Sequence, residues 1–260
     1  MNVHILGSCS GTEPFPNRHQ TSIWLETGNK NYLFDAGENC SYTACMMGLD
    51  PLKLNGIFIS HPHIDHTGGL PHLLWTIRKL TGVRKQNPEV GTLPVFTPDI
   101  ALFDAILNLL RATGENIVCG FELKPEPIHD GEIFHDGNIR VEACHNLHLG
   151  KPADGISWKS YSYRIHAEGK KIVFSGDIKS LDDIGPYLSD GCDLLLTETG
   201  HHHPWEIAEE LLTKKYAIGE LVFLHHGRDF LCRPEESIKK TAAVWKRNFT
   251  VAEDRQTIKL

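Results

Sequence analysis

The sequence lacks the features that mark a membrane protein or a disulfide-stabilised protein. No apolar stretch approaches the roughly 20 residues that a membrane-spanning helix needs. The N-terminus, MNVHILGSCSG, has neither the basic segment nor the apolar segment of a signal peptide. The 7 cysteines are odd in number, scattered and without a CxxC pair, which favours free thiols over disulfides or a zinc knuckle. We therefore expect a cytoplasmic protein that has no membrane partner.

Positive charge is also scarce. The chain has 26 Lys and Arg against 33 Asp and Glu, which gives a formal net charge of −7. An acidic protein gains little from counterion release on a phosphate backbone, so we do not expect a nucleic-acid partner. Hydrophobic residues at 40% and charged residues at 23% are typical of a globular protein rather than a disordered one.

Short apolar runs alternate with helical periodicity along the chain. Runs rich in Val, Ile, Leu and Phe predict strands at 3–6, 22–26, 31–34, 56–60, 93–96, 140–144, 161–166, 171–174, 193–197 and 221–224. Apolar residues at spacings of three and four predict helices at 70–80, 205–215, 235–246 and between Asp99 as N-cap and Gly114. This order of elements predicts a layered α/β fold.

The segment SHPHIDHTGG, residues 60–69, concentrates imidazoles and a carboxylate in one turn. Either it is a histidine-rich surface loop, or it binds metal. Crowded histidines repel one another when protonated and gain nothing from burial unless a cation pairs with them. Imidazole and carboxylate are ligands for zinc, and also for manganese or iron. The segment therefore predicts a metal site.

Other predicted strands end in residues of the same types. IVFSGD ends in Asp177, VEACHNLH in His148, and LVFLHHG carries His225 and His226. Strand ends in layered α/β folds meet at one edge, where sites assemble. Asp177 has two oxygens and could bridge two metals about 3.5–4 Å apart; its alternative role is a helix N-cap.

These motifs resemble those of the metallo-β-lactamase superfamily: HPHIDH followed by GGLP, then His148, FSGD and LHH. The opening stretch, LGSCSGTEPFPNRHQTSIWLETGNKNYLFDAGEN, resembles the ribonuclease Z-like branch. The resemblance implies one domain over residues 1–260 with a four-layer αββα sandwich fold. It also implies two divalent metal ions, usually zinc, with manganese and iron as alternatives.

Position by position, the resemblance also implies a ligand set. The first metal would take His61, His63 and His148, the second Asp65, His66 and His225, and Asp177 would bridge them. The family's spacing favours His148 over His145 and His225 over His226. A one-residue slip in the match to the family would exchange the two members of either pair.

The implied chemistry is hydrolysis by a metal-activated hydroxide, which Asp65 can orient while it binds metal. In the resembled branch a Glu some twenty residues after the bridging Asp supports a His that acts as general acid. Glu198 lies 21 positions after Asp177, and the spacing favours His202, with His201 and His203 as alternatives.

The chain departs from true ribonuclease Z in one respect. That enzyme carries an inserted arm for transfer RNA between the third metal histidine and the bridging aspartate, whereas here Asp177 comes 29 positions after His148. We therefore predict a phosphodiesterase that acts on a small molecule, such as a cyclic nucleotide or a cyclic sugar phosphate. The alternatives are hydrolysis of an ester, lactone or thioester, or a non-catalytic metal-binding role. The resemblance also suggests a homodimer. We expect the polar segment 81–92 to be a surface loop, with a substrate lid or a dimer contact as alternatives.

Overall fold

The computed structural model describes residues 1–114 and 120–260, and these form two compact units. Unit 1 comprises Met1–Gly7, Asn17–Ile128 and Asp254–Leu260, and unit 2 comprises Ser8–Pro16 and His129–Glu253. The prediction that residues 1–260 are a single domain stays a prediction. Cys119 lies outside the described residues; the six described cysteines are all free, as predicted.

Unit 1 contains a seven-stranded mixed sheet in the order β14-β1-β2-β3-β4-β5-β6. Its strands are β1 (Asn2–Gly7), β2 (Ser22–Thr27), β3 (Lys30–Phe34), β4 (Leu54–Phe58), β5 (Thr92–Thr97), β6 (Glu122–Pro127) and β14 (Thr257–Lys259). Its helices are α1 (Cys40–Met46), α2 (Ile64–Thr67), α3 (Leu70–Arg84) and α4 (Ile100–Ala112). Strands β3 to β6 run parallel, so their carboxyl ends lie at one edge of this sheet.

Unit 2 contains a second seven-stranded mixed sheet in the order β13-β12-β11-β10-β9-β8-β7. Its strands are β7 (Gly131–His135), β8 (Ile139–His145), β9 (Tyr161–Ala167), β10 (Lys170–Phe174), β11 (Cys192–Thr199), β12 (Ile218–His226) and β13 (Thr250–Val251). Its helices are α5 (Gly185–Leu188), α6 (Pro204–Thr213), α7 (Arg228–Cys232) and α8 (Pro234–Trp245). Strands β10 to β13 are parallel, which again brings their carboxyl ends to one edge.

Each unit has its own hydrophobic core between sheet and helices. In unit 1, strand residues such as Trp24 and Ile57 pack with Leu73 of α3 and Phe103 of α4. In unit 2, residues of β10, β11 and β12 pack with helix residues such as Leu211. Burial of these side chains stabilises each unit by about 25 cal/mol for each Å² of apolar surface removed from water.

All the predicted strands and helices are present, with small differences in their ends. Helix α4 begins after Asp99, whose side chain accepts a hydrogen bond from the Ala101 N–H, as predicted for an N-cap. Helix α3 continues to Arg84, so the connection predicted from residue 81 is shorter than expected. The elements that the sequence did not predict are short or polar: α1, α2, α5, α7, β6, β7, β13 and β14. Among the helices of residues 1–114 and 120–260, none combines the length and the apolar character that crossing a membrane requires.

Candidate metal centre

The histidines of the HPHIDH segment form a cluster in unit 1 directly after β4. The His66 N–H donates to the His63 carbonyl at 3.0 Å, which closes the turn that starts α2. The ring centroid of His61 lies 4.7 Å from that of His63 and 4.0 Å from that of His66. Asp65 joins this cluster, with its Oδ2 atom 3.4 Å from His66 Nε2. His61 and His66 are fully buried, and Asp65 is nearly so.

Asp35 and Ser60 determine which ring nitrogen of each buried histidine carries the proton. The Asp35 carboxylate accepts from His66 Nδ1 at 2.7 Å and from the Ser60 hydroxyl at 2.8 Å. Because Ser60 gives its only proton to Asp35, its oxygen accepts from His61 Nδ1 at 3.0 Å. Both rings therefore carry hydrogen on Nδ1 and present the Nε2 lone pair, the form that binds a metal.

In unit 2, Asp177 lies among histidines that come from three strand ends. Its Oδ1 atom is 3.2 Å from His225 Nε2, and its Oδ2 atom is 3.7 Å from His148 Nε2. Asp177 is 2% exposed. The N-cap of the 3-10 helix that follows is Ser180, so the alternative role of Asp177 as a helix cap does not apply.

Glu198 is held by three hydrogen bonds at the end of β11. Its Oε1 atom accepts from the Ile178 N–H at 2.7 Å. Its Oε2 atom accepts from the His201 N–H at 2.9 Å and from His201 Nδ1 at 2.8 Å. The carboxylate therefore fixes the His201 ring and places the hydrogen of its neutral form on Nδ1.

The histidine that Glu198 supports is His201 rather than the predicted His202. His202 Nε2 lies 2.9 Å from the Ile178 carbonyl oxygen and 3.9 Å from Glu198 Oε1. His203 pairs with Asp229 and stacks on Trp205. The three adjacent histidines thus make three different contacts, and the hydrogen bond expected for His202 is made by its neighbour.

The two histidine pairs that the sequence left open make distinct contacts. His145 binds Asp130 through Nδ1 at 2.7 Å, whereas His148 lies beside Asp177. His226 uses both ring nitrogens, since Nδ1 contacts the Thr199 hydroxyl at 3.1 Å and Nε2 contacts the Ala252 carbonyl at 2.9 Å. His148 and His225 therefore lie beside Asp177, and the preference for these two residues as ligands stays a prediction.

Gly200 allows the His225 ring to reach this cluster. A Cβ atom at position 200 would lie 2.5 Å from His225 Nδ1, a distance that real Cβ contacts essentially never show. His225 itself has φ 48°, a left-handed conformation that is uncommon in residues other than glycine. The close approach therefore requires glycine at position 200.

The donor set of these clusters suits a divalent cation. Within unit 2, one ligand atom from each of Asp177, Glu198, His201 and His225 lies within 4.8 Å of the others. Imidazole nitrogen and carboxylate oxygen are the donors that zinc and manganese accept. Carboxylates and imidazoles gathered in buried surroundings are costly unless a cation or hydrogen bonds compensate them. The residues present fit a metal site.

Cys40, Cys144 and Cys192 are unsuited to act as nucleophiles. Burial raises the pKa of the thiols of Cys40, Cys144 and Cys192 to about 12 in each case. These thiols stay protonated at neutral pH, whereas nucleophilic attack requires a thiolate.

Comparison with known proteins defines the class of this chain. The solved structure of human tRNase Z, short form (ELAC1), matches it with a TM-score of 0.74 and 22% identity, covering 100% of this chain and 99% of that one. The ribonuclease Z of an Exiguobacterium species is 24% identical, with 94% of each chain covered. The chain therefore has the fold of this tRNase Z and is similar in sequence to ribonuclease Z over nearly its whole length, and its predicted α/β fold class is confirmed.

A family model identifies the family to which this chain belongs. The family model described as "Anti-Pycsar protein Apyc1" matches residues 1–229, and the chain belongs to this family. The ribonuclease Z of Treponema pallidum (strain Nichols) is 45% identical over 74 residues, which cover 28% of this chain. The match spans only 24% of the length of that relative.

Sequence reasoning did not identify Asp35 and Ser60 as site residues. Asp35 stands in the LFDAGE stretch, and Ser60 directly precedes HPHIDH. One signal could have identified Asp35. It is an acidic residue at the end of an apolar strand, and the next strand leads into the histidine cluster.

Proposed function

We propose that this chain is a metal-dependent hydrolase that binds two divalent metal ions and cleaves a small phosphodiester. The observation that carries the proposal is the pair of contacts from His61 Nδ1 to Ser60 and from His66 Nδ1 to Asp35, from which we infer that both Nε2 atoms are metal donors. The proposed ligands are those that the resemblance assigns: His61, His63, Asp65, His66, His148, Asp177 and His225. Zinc is the expected ion, with manganese or iron as alternatives.

Bound divalent cations would supply positive charge that lowers the pKa of a water molecule and stabilises charge developing on a phosphate group. The protein's own contribution is orientation. Asp35 directs His66 itself and directs His61 through the Ser60 hydroxyl. These contacts hold the rings before any substrate binds, so no reorganisation is needed during the reaction. Asp65 is placed beside His66 and would orient the attacking water.

We assign the general acid to His201. The protonated imidazole would give its Nε2 proton to the leaving alkoxide, while its Nδ1–H group keeps its hydrogen bond to Glu198. The buried Glu198 carboxylate favours that charged form, as the orienting carboxylate does in other histidine-based acid–base pairs. His201 is about half-exposed, which leaves it accessible to a substrate.

A small substrate agrees with the short connection that carries His148. Residues 146–160 join β8 to β9 without a helix or a strand, which leaves little chain for an inserted arm. Aliphatic side chains also flank the candidate ligands in each unit: Ile64 follows His63 and is 73% exposed, and Leu149 follows His148 and is 39% exposed. Such side chains suit a phosphodiester that carries an apolar or planar group, such as a cyclic nucleotide.

The test combines metal analysis with turnover. Purified protein would be assayed on bis(p-nitrophenyl) phosphate and on a panel of cyclic nucleotides and cyclic sugar phosphates. Asp177→Ala should lose bound metal and at least about a hundredfold in kcat/KM, since it removes a ligand rather than a supporting contact. Asp182→Ala, at a nearby exposed carboxylate, is the matched control and should behave like the wild type.

Two outcomes would overturn the proposal. Turnover of esters, lactones or thioesters without turnover of any phosphodiester would replace the substrate class. Full metal occupancy without turnover of any of these substrates would favour a non-catalytic role.

Three further expectations are part of the same proposal. The substrate is a small molecule rather than a nucleic acid, which agrees with the net charge of −7. The protein acts in a reducing cytoplasm, which agrees with the free thiols among the described cysteines. It forms a homodimer, which sedimentation at several protein concentrations would test.

A further inference from the structure

A buried asparagine precedes the turn that carries His148. Asn146 is 1% exposed, and its Oδ1 atom accepts from the His148 N–H at 3.1 Å. Its Nδ2 atom donates to the Ser162 hydroxyl at 3.1 Å. Its own N–H donates to the Ser160 carbonyl at 2.9 Å. Both ends of the side chain are therefore engaged, one by the turn and one by β9.

The hydrogen bonds continue from β9 to the other candidate site residues of unit 2. The Ser162 hydroxyl donates to the Ser175 carbonyl at 2.5 Å. The Ser175 hydroxyl accepts from the Glu198 N–H at 3.1 Å and donates to the carbonyl of Gly176 at 2.6 Å. Gly176 directly precedes Asp177, so one chain of hydrogen bonds links the segments that carry His148, Asp177 and Glu198.

The direction of this chain is fixed by the number of available protons. Asn146 Nδ2 can only donate, so Ser162 accepts from it and gives its single proton to the Ser175 carbonyl. Ser162 and Ser175 are fully buried. A buried network whose donors and acceptors all match specifies one arrangement of the segments it joins, because any other arrangement leaves buried polar groups unpaired.

We propose that Asn146, Ser162 and Ser175 are positioning residues that set the relative placement of His148, Asp177 and Glu198. This proposal rests on the proposed function, because it takes those three residues as parts of a metal site. None of the three positioning residues needs to contact metal or substrate. Asn146 acts through the His148 backbone, and Ser175 acts through the backbone of Glu198 and of Gly176, the neighbour of Asp177. Ser162 joins the two by its bonds to the Asn146 side chain and the Ser175 carbonyl.

A supporting residue of this kind should affect metal binding more than folding. Removing a residue that orients a metal ligand typically weakens metal binding by about 10–100-fold. We expect Asn146→Ala and Ser175→Ala each to weaken zinc binding within that range. The double variant should lose less than the product of the two single effects, because both substitutions break one network.

Ser160 supplies a matched control. It is a buried serine in the same connection between β8 and β9, and its hydroxyl makes no hydrogen bond. Ser160→Ala therefore removes a buried hydroxyl without touching the network, and its zinc affinity should stay within about twofold of the wild type. Asn146→Ser is a second variant in case Asn146→Ala misfolds. A serine can still accept from the His148 N–H but is too short to reach Ser162.

The experiment is competition for zinc between each full-length apoprotein and a chromophoric chelator, with thermal unfolding of the apoprotein as the measure of stability. Weaker zinc binding in the Asn146 and Ser175 variants, with Ser160→Ala unchanged, supports the proposal. Zinc affinities within about twofold of the wild type in the network variants overturn it, as does an equal loss in Ser160→Ala. The assay contains no substrate, so failure of the wild type to hydrolyse phosphodiesters would reject the proposed substrate without changing this result.

Discussion

Asp35→Asn tests whether one carboxylate sets the protonation of two candidate ligands. The carboxylate accepts from the Ser60 N–H at 2.6 Å, from the Ser60 hydroxyl at 2.8 Å and from His66 Nδ1 at 2.7 Å. An asparagine has the same shape but only one accepting atom. If its oxygen faces the Ser60 N–H, its NH₂ group faces His66 Nδ1, and the ring must then move its proton to Nε2. If the amide is reversed, its NH₂ group faces the Ser60 backbone N–H. Both groups are donors, and the backbone N–H cannot become an acceptor.

The magnitude follows from these contacts. Hydrogen bonds to a charged group contribute about 1.5–3 kcal/mol each, and asparagine can keep one or two of the three. We therefore expect the apoprotein to lose about 2–4 kcal/mol of unfolding free energy. A His66 ring with hydrogen on Nε2 cannot bind metal through that atom, so zinc affinity should fall by about 10–100-fold.

The assay pairs urea unfolding of the apoprotein with zinc competition against a chromophoric chelator. Asp254→Asn is the matched control, because the Asp254 side chain is 6% exposed and its carboxylate accepts from Nδ1 of His19, which is not a candidate ligand, at 2.8 Å. We expect the control to lose stability and keep its zinc affinity. If Asp35→Asn behaves in the same way, the tautomer argument is refuted.

Three other predictions concern the same centre. Gly200→Ala should push the His225 ring out of place and lower zinc affinity at least about tenfold, whereas Gly82→Ala, in open space on α3, should leave it unchanged; calorimetric titration measures both. His201→Asn should lower kcat by about 10²–10⁴-fold for substrates with poor leaving groups and far less for nitrophenyl esters, and equal losses in His202→Asn would contradict the assignment. Dialysis against a chelator should abolish turnover and lower Tm, with both restored by zinc or manganese; full activity in metal-free protein would exclude a metal mechanism.

The residues of the candidate site could be predicted from the sequence where they lie close together along the chain. HPHIDH collects its histidines within one turn, so the pattern alone indicates a cluster. His148 and Asp177 follow apolar runs that predict strands, and each lies three residues after the last residue of β8 or β10. Helix α4 was equally clear because Asp99 caps a strongly periodic segment.

The remaining features depend on pairing between distant segments. Asp35 meets Ser60 because β3 pairs in parallel with β4, with Phe34 opposite Phe58, and no local pattern encodes that register. The choice between His225 and His226 depends on a register shift between β11 and β12 at Glu198 and Thr199. The choice among the three adjacent histidines depends on the path of the chain through Gly200, which spacing along a helix does not describe.

The central claim is that this centre holds a pair of divalent ions, and anomalous diffraction from crystals of the zinc-loaded protein tests it most directly. We expect two zinc peaks per chain, about 3.5–4 Å apart, with Asp177 contacting both. Zinc peaks elsewhere, or none, in crystals where Asp177 and His148 point away from residues 61–66 would contradict it.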